Sequence, residues 1–187
     1  MISIEKTRHC PTLKLPQGFS IEGRSLKVPD VNAMAEGILG GQAGIQVMHQ
    51  IDSEAYDALL AKLADREIYK VDSLRFLATR ALQGHGYFSA IVVDAAAFEL
   101  LSKEAICVPC ERSGPLLLPR MTLRHRESEK VLTVLAAYLP IKKGRVSLSS
   151  AKTLAMVAQD LWLRASGAVD VYIVGRDVIQ VIGAVEQ

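Results

Sequence analysis

Apolar positions along this chain recur at two periods, and the changes of period mark out its elements. From Val31 to Leu39 they fall at helical spacing. That segment stops at Gly40-Gly41, where glycine takes the left-handed geometry that closes a helix. Ile45 to Ile51 reads as a strand. Asp52 or Ser53 then offers a side-chain oxygen to cap a helix whose stripe is Ala55, Tyr56, Leu59, Leu60 and Leu63. A further helix is predicted from about Asp72, through Leu74, Leu77, Ala78 and Ala81, to Gly84. Tyr87 to Val93 is the clearest buried strand, since it is short, β-branched and bounded by Gly86 and Asp94. Ala95 to Lys103 is predicted to follow as a helix.

From Ile106 the helical signals stop. Pro109, Gly114, Pro115 and Pro119 break the chain, and apolar and basic residues then alternate to Arg126. Leu117 to Arg126 is read as a strand and Val131 to Leu139 as its partner, with a single helix over 119–139 as the open alternative. Ser147 or Ser149 can cap a long helix running to about Ala165. Val169 to Val174 and Val178 to Ala184 form a hairpin that turns at Gly175-Arg176-Asp177. Residues 1–30, punctuated by Pro11, Pro16, Gly18, Gly23 and Pro29, read as an extended arm with short strands. The sum is one α+β domain over 1–187. Helices lie mostly in the first half. An antiparallel-leaning sheet, one long helix and a C-terminal hairpin make the second. Any sub-boundary falls near 104–115.

Composition narrows the class. With 187 residues the chain is long enough to bury a core without staples. Half of it is hydrophobic but only 5% is aromatic, so the core must rest on Ala, Val, Leu and Ile. A mean hydropathy of +0.21 is high for a soluble domain and points to an oligomeric or partner interface. The longest nearly unbroken apolar run, Val131 to Ile141, has eleven residues, short of the roughly 20 that span a bilayer, so no membrane role is expected. Met1 to Lys14 holds no apolar leader core. Three cysteines, an odd count, suit a reducing, cytoplasmic setting.

The net charge of +2 hides an asymmetry. Between Arg112 and Lys152 stand nine Lys/Arg against two acids, Glu127 and Glu129, a local charge of +7. On an extended Leu117–Arg126, one face carries Leu118, Arg120, Thr122, Arg124 and Arg126, with neighbours roughly 7 Å apart. That is close to the phosphate spacing of an extended nucleic-acid strand, and guanidinium forks pair bidentately with phosphate. Lys142, Lys143 and Arg145 follow the next strand and extend the set. The competing reading is a solvated face whose arginines pair with carboxylates, and residues 1–100 supply twelve Asp/Glu. Scarce aromatics argue against base stacking and for phosphate tracking.

The remaining motifs are weak. Cys107-Val108-Pro109-Cys110 is a CxxC, but Ser113-Gly114-Pro115 prevents the helix start that a redox site needs. It offers zinc two of four ligands, with His9 and Cys10 as remote candidates. Glu36 to Gly44 is glycine-rich, yet it closes a helix and leads into a strand, the reverse of a dinucleotide loop. His85, between Gly84 and Gly86, has no nucleophile or carboxylate motif beside it. His9, His49 and His125 are scattered. On the long helix Met156 and Leu163 fall off the main apolar face and are candidate partner contacts.

These residues together predict a non-catalytic binding component of a cytoplasmic assembly. It would contact nucleic acid or another polyanion through Arg120, Arg124, Arg126, Lys142, Lys143 and Arg145, without cofactor or metal. One alternative is a protein-interaction or oligomerising subunit meeting an acidic partner, with Met156 and Leu163 in the contact. The other is a small enzyme whose motif is not local, involving His85 or Cys110.

Overall fold

The computed structural model describes residues 2–6, 12–15, 18–25, 31–40, 44–64, 76–82, 88–108, 116–137, 141–142, 145–146, 159, 170–175 and 178–182. In chain order its elements are β1 (Ile2–Lys6), β2 (Thr12–Lys14), β3 (Ser20–Ser25), α1 (Val31–Leu39), β4 (Ile45–Ile51), α2 (Ser53–Ala64), β5 (Phe76–Leu82), β6 (Phe88–Asp94) and β7 (Phe98–Val108). They continue with β8 (Leu116–His125), β9 (Val131–Ala136), β10 (Ile141–Lys142), β11 (Arg145–Val146), β12 (Asp170–Val174) and β13 (Val178–Ile182).

Two mixed sheets face each other. One has the strand order β1-β13-β12-β9-β8-β7, the other β2-β3-β4-β6-β5, and β10 and β11 form a separate two-stranded ribbon. Most neighbours are antiparallel; β3 with β4 and β9 with β12 are the parallel pairs. Alternation along the strands puts Ile21, Ile45, Val47, Ile91 and Val93 of one sheet against Met121, Leu123, Leu132, Val134, Tyr172 and Val174 of the other. Phe98 fills the same layer and is fully buried. At roughly 1.5–3 kcal/mol for each buried large side chain, this layer is the main cohesive term of the fold.

The helices cover the outer face of the smaller sheet. Met34, Ala35 and Ile38 of α1 and Ala55, Tyr56, Leu59 and Leu63 of α2 pack with Met48, Ile51, Ala90 and Val92. The start of α2 is fixed as the sequence predicts: Asp52 Oδ1 accepts the Ala55 N–H at 2.7 Å. α1 ends at Leu39, and the Gly40 N–H makes an ordinary helical bond to the Glu36 carbonyl at 2.8 Å. Gly40 is not at positive φ, and Gly41 lies outside the described residues, so the left-handed cap read at Gly40-Gly41 is not shown at Gly40. One aromatic cluster sits at one end of the sandwich. There Phe19 meets Phe98 edge-on at 4.7 Å, and the His125 ring lies 4.8 Å and 5.3 Å from the two.

The helix-rich α+β arrangement is therefore corrected to a mostly β sandwich, with two helices among the described residues. The segment predicted as a helix from Asp72 contains β5, paired residue for residue with β6 from Phe76↔Asp94 to Leu82↔Phe88. Leu77, Ala78 and Ala81 match helical spacing only over a window too short to separate the two periods. The helix predicted from Ala95 is also absent. Asp94 Oδ1 does accept the Ala96 N–H at 2.9 Å, as a cap would, but the bond closes a tight turn and the chain enters β7. The hairpin of β12 and β13 and the pairing of β8 with β9 stand as read. The predicted long helix to Ala165 lies outside the described residues apart from Gln159, which is helical.

Candidate functional site

β4 carries the sequence Ile-Gln-Val-Met-His-Gln-Ile and is buried at every position except half-buried Gln50. Ile45 and Val47 face the other sheet, and Met48 faces the helices. In its pairing with β6, Met48 stands opposite Ala90 and Ile51 opposite Phe88. Two residues, His49 and Gln50, therefore oppose the single residue Ser89, which is a β-bulge. The extra residue returns Ile51 to the helix side, where it packs under α2. It also lets Gln50 take φ 58°, the left-handed region that side chains other than glycine and asparagine avoid.

His49 turns inward and is fully buried. Its Nδ1 lies 3.0 Å from Ser89 Oγ, which is fully buried too. The ring reaches across the sandwich to the backbone of Val174 and Gly175 at the end of β12. Burial lowers its pKa to about 4, against the upward pull of those backbone contacts, so the imidazole is neutral near neutral pH. The Val174 carbonyl also accepts the Ala137 N–H at 2.9 Å, tying β12 to the end of β9. The ends of β4, β9 and β12 and the start of β6 thus meet around one polar pair, opposite the end that holds the Phe19, Phe98 and His125 rings.

The arginines predicted for anion binding lie elsewhere, on the outer face of the larger sheet. Arg120 Nη1 is 2.8 Å from Glu104 Oε1. Arg124 Nη1 is 3.0 Å from Glu99 Oε2, and its Nε is 3.8 Å from Glu129. Both acids of β7 are register partners of these arginines, so each guanidinium has a carboxylate directly across the strands. Arg120 Nε is buried and has no acceptor among the described residues. Arg126 is exposed, and its Nε donates to the Ala95 carbonyl at 3.1 Å. Lys142 and Arg145 are register partners in the β10–β11 ribbon. Their side chains, with Lys143, Met156, Leu163, His85, His9, Cys10 and Cys110, lie outside what the structure describes. Cys107 is a free, exposed thiol on β7. His125 is buried between the rings, with Nδ1 2.9 Å from Ser128 Oγ.

In the sequence His49 reads only as one of several scattered histidines, and Gln50 belongs to no motif. The signal was a polar pair inside an otherwise apolar strand, just before a helix cap. Among the described residues no group of three or more His, Cys, Asp or Glu stands close enough to hold a metal ion. Asp52, the carboxylate nearest in sequence to the bulge, is exposed and engaged in capping α2.

No protein-family model matches the chain, and no curated protein sequence matches it. Solved structures do share its fold. Humanized TDP2 from D. rerio superposes with a TM-score of 0.62 at 16% identity, covering 84% of this chain and 61% of that one. The same D. rerio protein has been seen complexed with a single-strand DNA product. The catalytic domain of human nocturnin, with a bound sulfate anion, gives 0.56 at 14% identity, covering 78% of this chain and 55% of that one. An endonuclease/exonuclease/phosphatase from Bacteroides vulgatus gives 0.59 at 9% identity, covering 78% and 56%. The chain spans only 55–61% of the length of these structures. At these identities the likeness is one of fold. It overturns the expectation of a non-catalytic binding component, which rested on the basic block and the weakness of the local motifs, because the matched structures include a nocturnin catalytic domain, an endonuclease/exonuclease/phosphatase and TDP2 with a DNA product.

Proposed function

We propose that this chain processes phosphoesters, with a nucleic acid as the favoured substrate class. The observation that carries the reading is the shared fold with enzymes described as TDP2, nocturnin and an endonuclease/exonuclease/phosphatase. The anions in two of those structures, a single-strand DNA product and a sulfate, support a phosphate-like ligand. Within this chain the proposed site is the end of the sandwich around His49, Gln50, Ser89 and Gly175. A neutral, buried His49 serves there as an anchor between the sheets and not as a proton acceptor, since its Nδ1 is engaged by Ser89.

Arg120, Arg124, Arg126, Lys142, Lys143 and Arg145 are kept as the proposed path of a nucleic-acid backbone. Arg120 and Arg124 would join it only by exchanging Glu104 and Glu99 for phosphate oxygens. The cytoplasm remains the proposed compartment, on the strength of the free thiol of Cys107.

The test is a product assay on the purified chain with end-labelled single-stranded DNA, bis(p-nitrophenyl) phosphate and p-nitrophenyl phosphate, each with and without added Mg²⁺. Anisotropy of the labelled DNA is followed in parallel. Turnover of any of the three that is lost in a Ser89→Ala variant supports the reading. Binding without turnover overturns its catalytic part, and neither binding nor turnover overturns the whole.

A further inference from the structure

We propose that a second copy of this chain docks on the open edge of β7, adding its own β7 as an antiparallel strand over Ser102–Val108 with Ala105 on the two-fold axis. The proposal stands apart from the phosphoester reading, since no residue of that site lies on β7. β7 ends the larger sheet, and among the described residues only β8 pairs with it. Its side chains are uncovered too: Leu101 to Ala105 and Cys107 are exposed. Successive residues of a strand point to opposite faces, so both faces of this stretch meet water. The direction of its backbone groups follows from the ladder. The Arg126 N–H donates to the Ala97 carbonyl, and the His125 N–H donates to the Lys130 carbonyl on the other side, both at 2.9 Å. Even-numbered residues of β8 therefore turn their N–H and C=O groups toward β7, and odd-numbered ones turn away. Pro119 fits this, because its missing N–H would otherwise interrupt the β7 ladder. Across from Thr122, Arg120 and Leu118 stand Ser102, Glu104 and Ile106, which take up those bonds. The N–H and C=O groups of Lys103, Ala105 and Cys107 are left facing outward, a template for one more strand.

The register selects the occupant. A bulge interrupts the pairing between Leu100 and Ser102, so the regular run is Ser102–Val108, and Ala105 is its midpoint. In antiparallel pairing an outward-facing residue meets another outward-facing one, so a two-fold axis passes through a residue and not between two. Centred on Lys103 or Glu104, the pairing would set that charge against its own copy, and like charges directly opposite repel. Centred on Ile106, it would shorten to Glu104–Val108 and forfeit backbone bonds. Centred on Ala105, it uses the whole run. Lys103 then faces Cys107 of the second copy, Glu104 faces Ile106, and the smallest side chain of the run sits on the axis. Lys103, Ala105 and Cys107 exchange their outward bonds in reciprocal pairs, and the two larger sheets join into one. A contact of this kind closes on itself, so association stops at a dimer. Only self-pairing needs a run that matches itself about one residue.

Sedimentation of the full chain over a wide concentration range tests this, and wild type is expected to dimerise. Ala105→Pro removes an outward N–H that the β8 ladder does not use, so it should stay folded and sediment as a monomer. Ala105→Glu sets two carboxylates on the axis and should weaken the dimer several-fold at low salt, less at high salt. Cross-linking reads the register in a background of Cys10→Ser, Cys107→Ser and Cys110→Ser. There Ala105→Cys should give a covalent dimer on mild oxidation, because residues opposed in a hydrogen-bonded pair lie about 5.5 Å apart at Cα, within disulfide reach. Lys103→Cys should not, since its own copy would lie roughly 13 Å away along the strands, but it should once Cys107 is restored. A wild type that stays monomeric, or a dimer that Ala105→Glu leaves unchanged, overturns the edge contact. Cross-linking through Lys103→Cys without Cys107 overturns the register. A monomer whose Lys103, Ala105 and Cys107 amides still exchange slowly would put a different segment on the edge and overturns the second copy.

Discussion

His49 Nδ1 and Ser89 Oγ lie 3.0 Å apart, forty residues distant in sequence, and both side chains are wholly shielded from water. The pair exists because one bulge sets His49 and Gln50 opposite Ser89. With the contacts of His49 to the backbone at Val174 and Gly175, it joins the two sheets at the end where the proposed site lies. Stability and site geometry are coupled through this one imidazole.

The coupling has a pH signature. His49 titrates near 6.5 when unfolded and at about 4 in the folded chain. Between those values the unfolded state takes up a proton that the folded state refuses. The stability contributed by neutral burial is thus complete above about pH 6.5, falls as pH drops toward 4 and levels off below. Over that window the loss is about 3 kcal/mol. Urea unfolding at stepped pH should show a slope in wild type that is shallower by that amount in His49→Gln. Parallel curves would rule the assignment out.

Removing the partner hydroxyl should be costly for its size. Ser89→Ala leaves a buried ring nitrogen without its closest side-chain partner, a loss of about 1–3 kcal/mol. The urea midpoint reads it, and a shift too small to resolve would mean that the ring satisfies Nδ1 elsewhere.

At the opposite end of the sandwich a methyl at Gly44 would be crowded. A Cβ at Gly44 would lie 3.0 Å from Phe98 Cε2 and 3.3 Å from Phe19 Cβ. Gly44→Ala should destabilise by about 1–3 kcal/mol through overpacking. Combining it with Phe98→Leu should cost less than the sum of the two single changes, because the clash and the ring that causes it go together. Strict additivity in a double-mutant cycle would refute the clash.

The outer-face arginines make a prediction of opposite sign to a simple truncation. Glu99→Gln with Glu104→Gln leaves Arg124 and Arg120 without the carboxylates now 3.0 Å and 2.8 Å away. Stability should fall by no more than about 1 kcal/mol for the exposed Arg124–Glu99 pair and by more for the half-buried Arg120. Affinity for labelled single-stranded DNA should rise several-fold at low salt, with a steeper salt slope. An unchanged affinity would remove this face from the proposed nucleic-acid path.

Local pattern was a good guide wherever one face of an element alone decided its fate. The stripe of α2, the Asp52 cap, the alternation of β8 and the hairpin of β12 and β13 all follow from spacing and turn residues. It misled at β5 and β7, where a short apolar run and an Asx turn have the same local signature in a helix and in a strand. Only the pairing of Phe76–Leu82 with β6, and of β7 with β8, decides between the two. The basic block shows the same limit. Its charge is written in the sequence, but its neutralisation by Glu99 and Glu104 depends on a strand register between residues as far as 25 positions apart.

The sequence by itself determined the composition of the core, the Asp52 cap of α2 and the strands whose alternation is unambiguous, because these depend on neighbours within a turn or two of chain. The tertiary structure alone decided that β4 and β12 belong to facing sheets and that one bulge places His49 beside Ser89. The reason is physical. A bulge is defined by what lies across the ladder, and the burial that keeps His49 neutral is supplied by residues remote in the chain.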